Sequence, residues 1–335
     1  MTKIYGVGFC GAGRIVSGNH LPTLESMSDK FKIIGFFDVV SENARKLANG
    51  KYGVYQTYDE MLTDTNINIV VVATKPLTTH FSLALKAIEA GKHVLLEKPM
   101  ASTTEECDAL IKAAKENNAL LTVHHNRRLN LDFLSAQKII RDGKIGEPRL
   151  IENNMINDGY QQGDILDWGI HLIDQCLLFN KSQLLEVSAM LCSPENGLDN
   201  CGFGTAVLRF EHGPVIYCSM LPRTKEYLLN GTNAFVRFYI AGTKASFAQR
   251  IIETPKDLMN ATMNFDNASP DYEVPEYLVI KNKGYYEYLY ENLAEGKELL
   301  VKPEEARNAI RCFELIQESA QKNQSIKASN MLKLN

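Results

Sequence analysis

The sequence predicts an α/β protein: a doubly wound parallel sheet followed by an α+β domain with a mostly antiparallel sheet. In the first 125 residues, apolar runs of strand length alternate with segments of helical pattern, as in repeated βαβ units. Gly11 and Gly13 follow the first apolar run, which is where a dinucleotide-binding fold has its phosphate turn. In the second half, runs that alternate apolar and polar residues predict antiparallel strands with one buried face.

Length and composition indicate two globular domains. The chain has 335 residues, of which 45% are hydrophobic, and chains of this length usually divide into two domains. The net charge of −4 and the scatter of basic residues among acids argue against a nucleic-acid or anionic-membrane surface. Because there is no apolar leader segment and no run as long as a membrane span, we expect a cytoplasmic protein.

The cysteines predict buried free thiols. The seven cysteines include no Cys-x-x-Cys pair and no Cys/His cluster with zinc spacing, and most lie in apolar segments, where free cysteine is usually buried. The neighbouring His124 and His125 invite a metal interpretation. Because adjacent strand residues point to opposite faces, we expect no metal site at this pair.

Strand and helix signals alternate through the first half. Ser102-Thr103-Thr104-Glu105 is predicted as a capping box that begins a helix. The predicted strands are 4–9, 31–37, 68–73, 92–97 and 119–124, and the predicted helices are 41–49, 58–64, 78–90 and 102–118. Parallel strands end at one edge of a sheet, so we expect these junctions to lie together there: 11–14, 38, 74–76, 97–99 and 124–128.

The turn at Gly11 and Gly13 is suited to a dinucleotide. Glycine lets the backbone turn tightly and approach a pyrophosphate closely. The third fingerprint position, normally Gly or Ala, is Val16, which departs from the pattern. Asp38 follows the second strand, where a carboxylate binds the adenosine ribose and would repel a 2′-phosphate. Asp38 therefore predicts NAD rather than NADP; the alternative is an ordinary turn residue.

The tripeptide Glu97-Lys98-Pro99 ends the predicted strand 92–97. Partial burial and neighbouring charges can tune a lysine there for proton transfer, and Pro99 restricts Lys98 to extended backbone. The alternative is a strand that ends in a solvated charge pair.

The second half, after a boundary near residue 125, is predicted to form the second domain. Residues 250–275 are rich in Asn, Asp, Thr and Pro, which predicts a long excursion or a partner-contacting loop. The predicted domains are therefore 1–125 and 126–335. The predicted strands are 147–156, 185–192, 202–210, 214–221, 234–241 and 244–248, and the predicted helices are 131–141, 164–180, 276–295 and one that begins at Pro303.

Asp167 and His171 are four residues apart on the predicted helix 164–180, so they share a face. A histidine titrates near neutrality and a carboxylate can orient it, which favours proton transfer. The alternative is a pair that only stabilises the helix.

Several of these motifs together resemble the Gfo/Idh/MocA oxidoreductase family. The most specific is the run from Glu89 to Pro99, Glu-Ala-Gly-Lys-His-Val-Leu-Leu-Glu-Lys-Pro. The stretch from Gly163 to His171 resembles the family's second signature, with Gln162 where a glycine is common. The loop from Thr74 to His80 is one residue longer than the Thr-Pro-Asn form seen in relatives.

The resemblance implies an N-terminal Rossmann domain that binds NAD(P) and a second domain for substrate binding and oligomerisation. It also implies that Lys98, Asp167 and His171 are catalytic, that the Lys98–Pro99 bond is cis, and that Asn126, Arg128 and Asp167 bind substrate; for Asn126 and Arg128 the alternative is an exposed surface position. The implied cofactor contacts are Gly11, Gly13, Arg14, Ile15, Asp38, Thr74, His80, Glu97, Lys98 and Pro99.

The implied activity is hydride transfer between NAD(H) and a sugar, cyclitol or related polyol. His171 would accept the hydroxyl proton, and Lys98 would either stabilise the alkoxide or relay its proton. Two alternatives share the fold, namely a redox-assisted glycosidase and a non-catalytic cofactor-sensing regulator. By family analogy we expect a homodimer or homotetramer, a small-molecule substrate, and no nucleic-acid or membrane partner.

Overall fold

A computed structural model of the chain describes residues 3–157, 165–192, 203–222, 233–253 and 283–333. The chain forms two compact units. The first consists of Met1–His125 and Lys283–Ile310, and the second of Asn126–Asn282 and Arg311–Asn335.

The first unit is built on a parallel sheet. Its strands are β1 (Tyr5–Cys10), β2 (Phe31–Phe37), β3 (Gly53–Val54), β4 (Ile69–Val72), β5 (His93–Leu96) and β6 (Leu121–Val123). They lie in the order β3-β2-β1-β4-β5-β6, and every neighbouring pair is parallel. Strands β1 and β4 are buried at every position, as expected for a parallel sheet covered on both faces. The predicted doubly wound sheet is confirmed.

Five α-helices lie between β1 and β6, and the last four agree with the predicted helices 41–49, 58–64, 78–90 and 102–118 to within a few residues. They are α1 (Leu21–Ser26), α2 (Ser41–Ala48), α3 (Tyr58–Thr63), α4 (His80–Glu89) and α5 (Thr104–Glu116).

Helix α5 begins one residue later than the predicted capping box. Thr103 is the N-cap, and its Oγ1 accepts a hydrogen bond from Glu106 N at 3.2 Å. The Glu106 carboxylate in turn accepts from Ser102 N at 2.9 Å. The sequence contains two overlapping Ser/Thr-x-x-Glu patterns, 102–105 and 103–106, and both satisfy the local rule for a capping box. The structure uses the second, so the predicted cap at Ser102 is wrong by one position.

The second unit is built on a mixed, mostly antiparallel sheet. Its strands are β7 (Pro148–Asn157), β8 (Leu184–Cys192), β9 (Phe203–Phe210), β10 (Val215–Pro222), β11 (Asn233–Gly242), β12 (Ser246–Glu253) and β13 (Ile326–Lys327). The order is β12-β11-β7-β10-β9-β8-β13, in which β7 and β10 are parallel and the other neighbours antiparallel. The mostly antiparallel sheet is confirmed. Strand β12 extends to Glu253, so the predicted loop 250–275 is wrong at its start; its remainder lies outside the described residues.

Two helices cover this sheet, α6 (Leu131–Arg141) and α7 (Ile165–Phe179). Helix α7 packs against β7 and β10, and α6 packs against β11. Phe133, Phe179 and Phe238 join the two helices to β11, with ring centroids 5.1 Å apart for the first two and 5.7 Å for the last two. This aromatic cluster fixes α7, the helix that carries Asp167 and His171.

The last two helices are α8 (Tyr285–Glu295) and α9 (Pro303–Lys322). The predicted division assigned residues 283–310 to the second domain, but the structure groups them with the first unit. The reason is that α8 packs on the parallel sheet, where Tyr285 OH donates to Val123 O at 2.8 Å and Tyr5 OH donates to Leu293 O at 2.7 Å. Of the predicted helix 276–295, the structure describes only residues 283 onward. Residues 283 and 284 are not helical, and the helix begins at Tyr285.

Five cysteines are buried free thiols, as predicted: Cys10, Cys107, Cys176, Cys218 and Cys312. Cys201 and the side chain of Cys192 lie outside the described residues. Among the helices that the structure describes, none is long and apolar enough to cross a membrane.

Candidate active site

The glycine turn after β1 has two parts with different roles. Gly11 has φ of +101°, and a Cβ there would lie 2.3 Å from Ala73 O, so only glycine fits. Gly13 is exposed, and no atom lies within 4 Å of a Cβ added to it. Gly11 therefore shapes the turn, while Gly13 leaves its outer side open. This cradle, which a side chain at Gly13 would fill, fits the close approach of a pyrophosphate.

The helical segment after the turn begins with Arg14 and Ile15, which are both exposed. Val16, the departure from the glycine fingerprint, is fully buried. It begins a π-helical turn, Val16–His20, that continues into α1. Wider turns of this kind are frequent at functional sites.

Asp38 lies directly after β2 and is held by two backbone amides. Its Oδ2 accepts from Ala12 N at 2.7 Å, and its Oδ1 accepts from Val40 N at 2.8 Å. The carboxylate is therefore joined to the glycine turn and kept in one orientation. The contact brings two predicted cofactor elements together, and the ribose role of Asp38 stays a prediction.

His80 connects the loop after β4 to the loop after β5. Its Nδ1 lies 2.8 Å from Pro99 O and its Nε2 lies 3.1 Å from Thr74 O. Burial lowers the pKa of His80, with partial compensation by these two hydrogen bonds. The Lys98–Pro99 bond is cis, which confirms the expectation from the resemblance, and Lys75–Pro76 is cis as well. His80 was expected to contact the cofactor; here both of its ring nitrogens face the backbone.

Glu97 lies in a buried network that the sequence did not reveal. Its Oε1 is 2.9 Å from His20 Nε2 and 2.6 Å from His124 Nδ1. His20 Nδ1 in turn lies 2.7 Å from Tyr286 OH. No local pattern joins these residues, because the partners are 27 to 266 positions apart along the chain.

The electrostatics of this network favour an ionised carboxylate. Burial alone would raise the pKa of Glu97, but the attraction of His124 and hydrogen bonds from both imidazoles hold that pKa well below its usual value. Burial and the neighbouring His124 lower the pKa of His20, against the opposing effect of Glu97. Burial, and then the charge of Glu97, raise the pKa of Tyr286, which keeps its hydroxyl protonated.

In the second unit, Asp167 and His171 lie one turn apart on α7, and both are buried. Three residues after His171, Asp174 binds the guanidinium of Arg128 at two points. Arg128 Nε lies 2.9 Å from Asp174 Oδ2, and the second contact is 2.6 Å from Oδ1. The pairing occupies the arginine that was predicted to bind substrate. Asn126, the other such residue, is half-buried in the 3₁₀ turn Asn126–Leu129.

A second buried arginine, Arg237, was also missed by the sequence interpretation. It occupies a β-bulge of β11, because Val236 and Phe238 pair with successive residues of β12. The bulge turns Arg237 inward, where it donates to Asp132 Oδ2 at 3.0 Å and to Gln175 Oε1 at 2.6 Å. Arg237 also hydrogen-bonds the side chain of Asn153. Arg128 and Arg237 thus hold α7 through Asp174 and Gln175.

Comparison with known proteins identifies the family. The model described as "Oxidoreductase family, NAD-binding Rossmann fold" matches residues 5–125, and that of the GFO/IDH/MocA C-terminal domain matches residues 133–248. The chain belongs to the GFO/IDH/MocA oxidoreductase family. It is therefore an NAD(P)-dependent oxidoreductase, as the resemblance implied.

Individual relatives agree with this assignment. The chain is 28% identical to scyllo-inositol 2-dehydrogenase (NADP(+)) IolW of Bacillus subtilis over 353 residues, which cover 96% of this chain and 95% of that protein. It is 35% identical to the uncharacterised oxidoreductase C115.03 of Schizosaccharomyces pombe over 176 residues. This match covers about half of each protein, 47% of this chain and 47% of that one. Among solved structures, an NAD-binding protein from Listeria innocua superposes with a TM-score of 0.80 at 26% identity, over 97% of both chains.

Proposed function

We propose that this oxidoreductase transfers a hydride between NAD(H) and a hydroxyl-bearing carbon of a sugar, cyclitol or related polyol. The observation that carries the proposal is the similarity to a scyllo-inositol 2-dehydrogenase along 96% of the chain. The presence of Lys98, Asp167 and His171 supports a catalyst over a cofactor-sensing regulator, because a sensor needs no proton-transfer groups.

The first unit would hold the dinucleotide. The open side of Gly13 would receive the pyrophosphate, and the fixed carboxylate of Asp38 would accept hydrogen bonds from the adenosine ribose. When bound, the nicotinamide supplies the hydride chemistry, and the protein supplies binding, orientation and electrostatics.

Proton transfer would fall to His171. An imidazole titrates near neutrality, so His171 would take the proton of the substrate hydroxyl during oxidation and return it during reduction. Asp167, one turn earlier on α7, would orient the imidazole and bind a neighbouring hydroxyl. The ammonium of Lys98 would stabilise negative charge on the substrate oxygen, or relay its proton.

For the cofactor we propose NAD(H) over NADP(H). The orientation of Asp38 by Ala12 N and Val40 N supports this preference, because a fixed carboxylate would repel a 2′-phosphate. The name of the Bacillus subtilis relative, which specifies NADP(+), points the other way, so the preference needs a direct measurement.

The experiment is a panel of inositols, other cyclitols and sugars, assayed with NAD+ and with NADP+ through the absorbance of the reduced nicotinamide. We expect turnover of at least one polyol, with a higher kcat/KM for NAD+. Lys98→Ala and His171→Ala should lower kcat by about 10²–10⁴ while NADH still binds. Failure to oxidise any polyol, or to reduce the matching ketone, despite normal NADH binding would contradict the proposal. Release of a phenol from an aryl glycoside without net NADH would identify a redox-assisted glycosidase instead.

We also propose that the protein is a homo-oligomer, either a dimer or a tetramer. On the sheet of the second unit, Met190 and Tyr217 are exposed. They lie on the same face, because Met190 pairs with Thr205, Thr205 pairs with Ser219, and Ser219 is two residues from Tyr217. Light scattering coupled to size-exclusion chromatography measures the oligomeric state directly, and a monomer would contradict this proposal.

A further inference from the structure

Both oxygen atoms of Glu97 are bound to donors of the protein. Oε1 faces His20 Nε2 and His124 Nδ1, at 2.9 and 2.6 Å. Oε2 accepts from the backbone N–H of Lys98 at 3.3 Å. The carboxylate thus connects two buried imidazoles to the backbone of the lysine that is predicted to be catalytic.

These contacts assign the protons of both rings. An ionised carboxylate only accepts hydrogen bonds, so His20 carries a proton on Nε2 and His124 carries one on Nδ1. The remaining Nδ1 of His20 can then accept from Tyr286 OH at 2.7 Å. The lowered pKa values of Glu97 and His20 agree with this arrangement. Two imidazole N–H groups and one backbone amide therefore surround the carboxylate.

The separations in this network are those of hydrogen bonds. One atom from each of His20, Glu97 and His124 lies within 4.8 Å of the others, as metal ligands would. Ligand atoms of a tetrahedral zinc site, at about 2.0–2.1 Å from the metal, are about 3.3 Å apart. The observed 2.9 and 2.6 Å are hydrogen-bond distances, as expected where ring N–H groups donate to a carboxylate.

The residue after Lys98 is anchored too. His80 Nδ1 lies 2.8 Å from Pro99 O, and its Nε2 lies 3.1 Å from Thr74 O. Lys98 itself is half-buried. It lies between Glu97, whose carboxylate contacts His20 and His124, and Pro99, whose carbonyl oxygen contacts His80. This arrangement restricts the backbone from which the lysine side chain extends.

We propose that His20 and His124 are positioning residues for Lys98: they hold the Glu97 carboxylate in place, and Glu97 holds the Lys98 backbone amide. The catalytic consequence rests on the proposed function, whereas the physical coupling does not. In the proposed reaction, a displaced ammonium would stabilise charge on the substrate oxygen less well, since such electrostatic stabilisation depends on a preorganised geometry.

Matched variants test the coupling without any substrate. In His124→Asn the amide nitrogen can replace Nδ1–H, and in His20→Gln it can replace Nε2–H, whereas His124→Leu and His20→Leu remove the donor. His93→Leu is the control, because His93 lies at the other end of β5 and accepts from Leu120 N at 3.0 Å. The two readouts are the ¹⁵N shifts of the histidine rings and the hydrogen exchange of the Lys98 amide, measured by NMR and referenced to β1 amides.

We expect the Nδ1 of His124 to carry a proton, since it faces the Glu97 carboxylate. The Lys98 amide should exchange at least about tenfold faster in both Leu variants, and at near wild-type rates in His124→Asn, His20→Gln and His93→Leu. An unchanged rate in both Leu variants would overturn the proposal, as would an unprotonated Nδ1 on His124. Stoichiometric zinc uptake by wild-type protein that abolishes the Nδ1–H signal would replace it with a metal site.

Kinetics separate this proposal from the proposed function. With a polyol that the wild type oxidises, the Leu variants should lose about tenfold or more in kcat, with NADH affinity within about twofold and recovery in His124→Asn and His20→Gln. Faster Lys98 exchange with unchanged kcat would refute the positioning role. If the wild type oxidises no polyol, the proposed function fails, while the tautomer and exchange results still decide the coupling.

Discussion

Arg128 binds both carboxylate oxygens of Asp174, three residues after His171 on α7, and both partners are at most 5% exposed. A buried pair of this kind contributes little relative to apolar residues, but loss of one partner is costly because the other charge remains buried. The pair therefore fixes the helix that presents the predicted catalytic histidine, and it gives the first prediction.

Arg128→Leu should lower the free energy of unfolding by about 3–5 kcal/mol, because Asp174 would be left buried and unpaired. Urea denaturation followed by circular dichroism measures the loss. Combining it with Asp174→Leu should recover part of the stability. The control is Arg149→Leu, which removes an exposed contact with Glu147 and should change stability by less than about 1 kcal/mol. If Arg128→Leu raises only KM and leaves stability unchanged, the arginine binds substrate as the resemblance implied.

The two glycines of the turn should respond differently to the same substitution. Gly11→Ala should destabilise the protein by about 1–3 kcal/mol from backbone strain, with a further loss because a Cβ would lie 2.3 Å from Ala73 O. Gly13→Ala should fold with nearly wild-type stability, because its Cβ would meet open space. It should nevertheless bind NADH at least about tenfold more weakly. Thermal denaturation and NADH fluorescence titration measure the two effects, and full NADH affinity in Gly13→Ala would argue against a phosphate cradle at this turn.

Asp38→Asn should reduce the preference for NADH over NADPH by about tenfold or more, since repulsion between unit charges 4 Å apart costs about 1 kcal/mol even in water. The amide oxygen retains one acceptor for the amides of Ala12 and Val40, so the turn should persist. The dissociation constants of NADH and NADPH measure the effect. Lys32→Gln, which changes an exposed side chain on β2, is the control. Equal discrimination in Asp38→Asn and wild type would mean that Asp38 is a structural turn residue.

The stability of the protein should fall on acidification below about pH 6.5. Burial lowers the folded-state pKa of His20 and His80 from the ordinary 6.5, so the unfolded chain binds protons first. The contribution of these two histidines to the free energy of unfolding is complete above about pH 6.5 and declines as the pH falls toward the folded-state pKa values. The folded-state pKa of Glu97 is well below 4.5. The unfolded chain therefore binds this proton first as well, and the free energy of unfolding falls further below about pH 4.5.

Melting temperatures at pH 7.5, 6.5 and 5.5 measure this dependence. His20→Gln, which cannot titrate, should show a shallower decline than wild type. Replacement of the exposed His212 by Gln is the control and should leave the decline unchanged. Equal slopes for wild type and His20→Gln would show that His20 does not contribute to acid sensitivity.

Signals that act over a few residues predicted the corresponding elements well. Strand β2 and helix α6 have the predicted limits, 31–37 and 131–141, because apolar periodicity and flanking turn residues specify them locally. The motifs around Gly11 and Glu97 likewise indicated the family. Local rules also left one choice open: two overlapping capping patterns precede α5, and the structure uses Thr103 as the N-cap.

The features that were missed depend on residues far apart in sequence. The bulge at Arg237 depends on the register between β11 and β12, and α8 joins the first unit through contacts with Val123 and with His20.

The sequence by itself determined the fold class and the family of this oxidoreductase and indicated the glycine turn after β1, because short-range pattern and motif identity encode them. Only the tertiary structure decided that Arg128 pairs with Asp174 and that His20 and His124 hold Glu97. The physical reason is that burial removes water from these polar groups, so each must find its partner among the side chains that packing brings close.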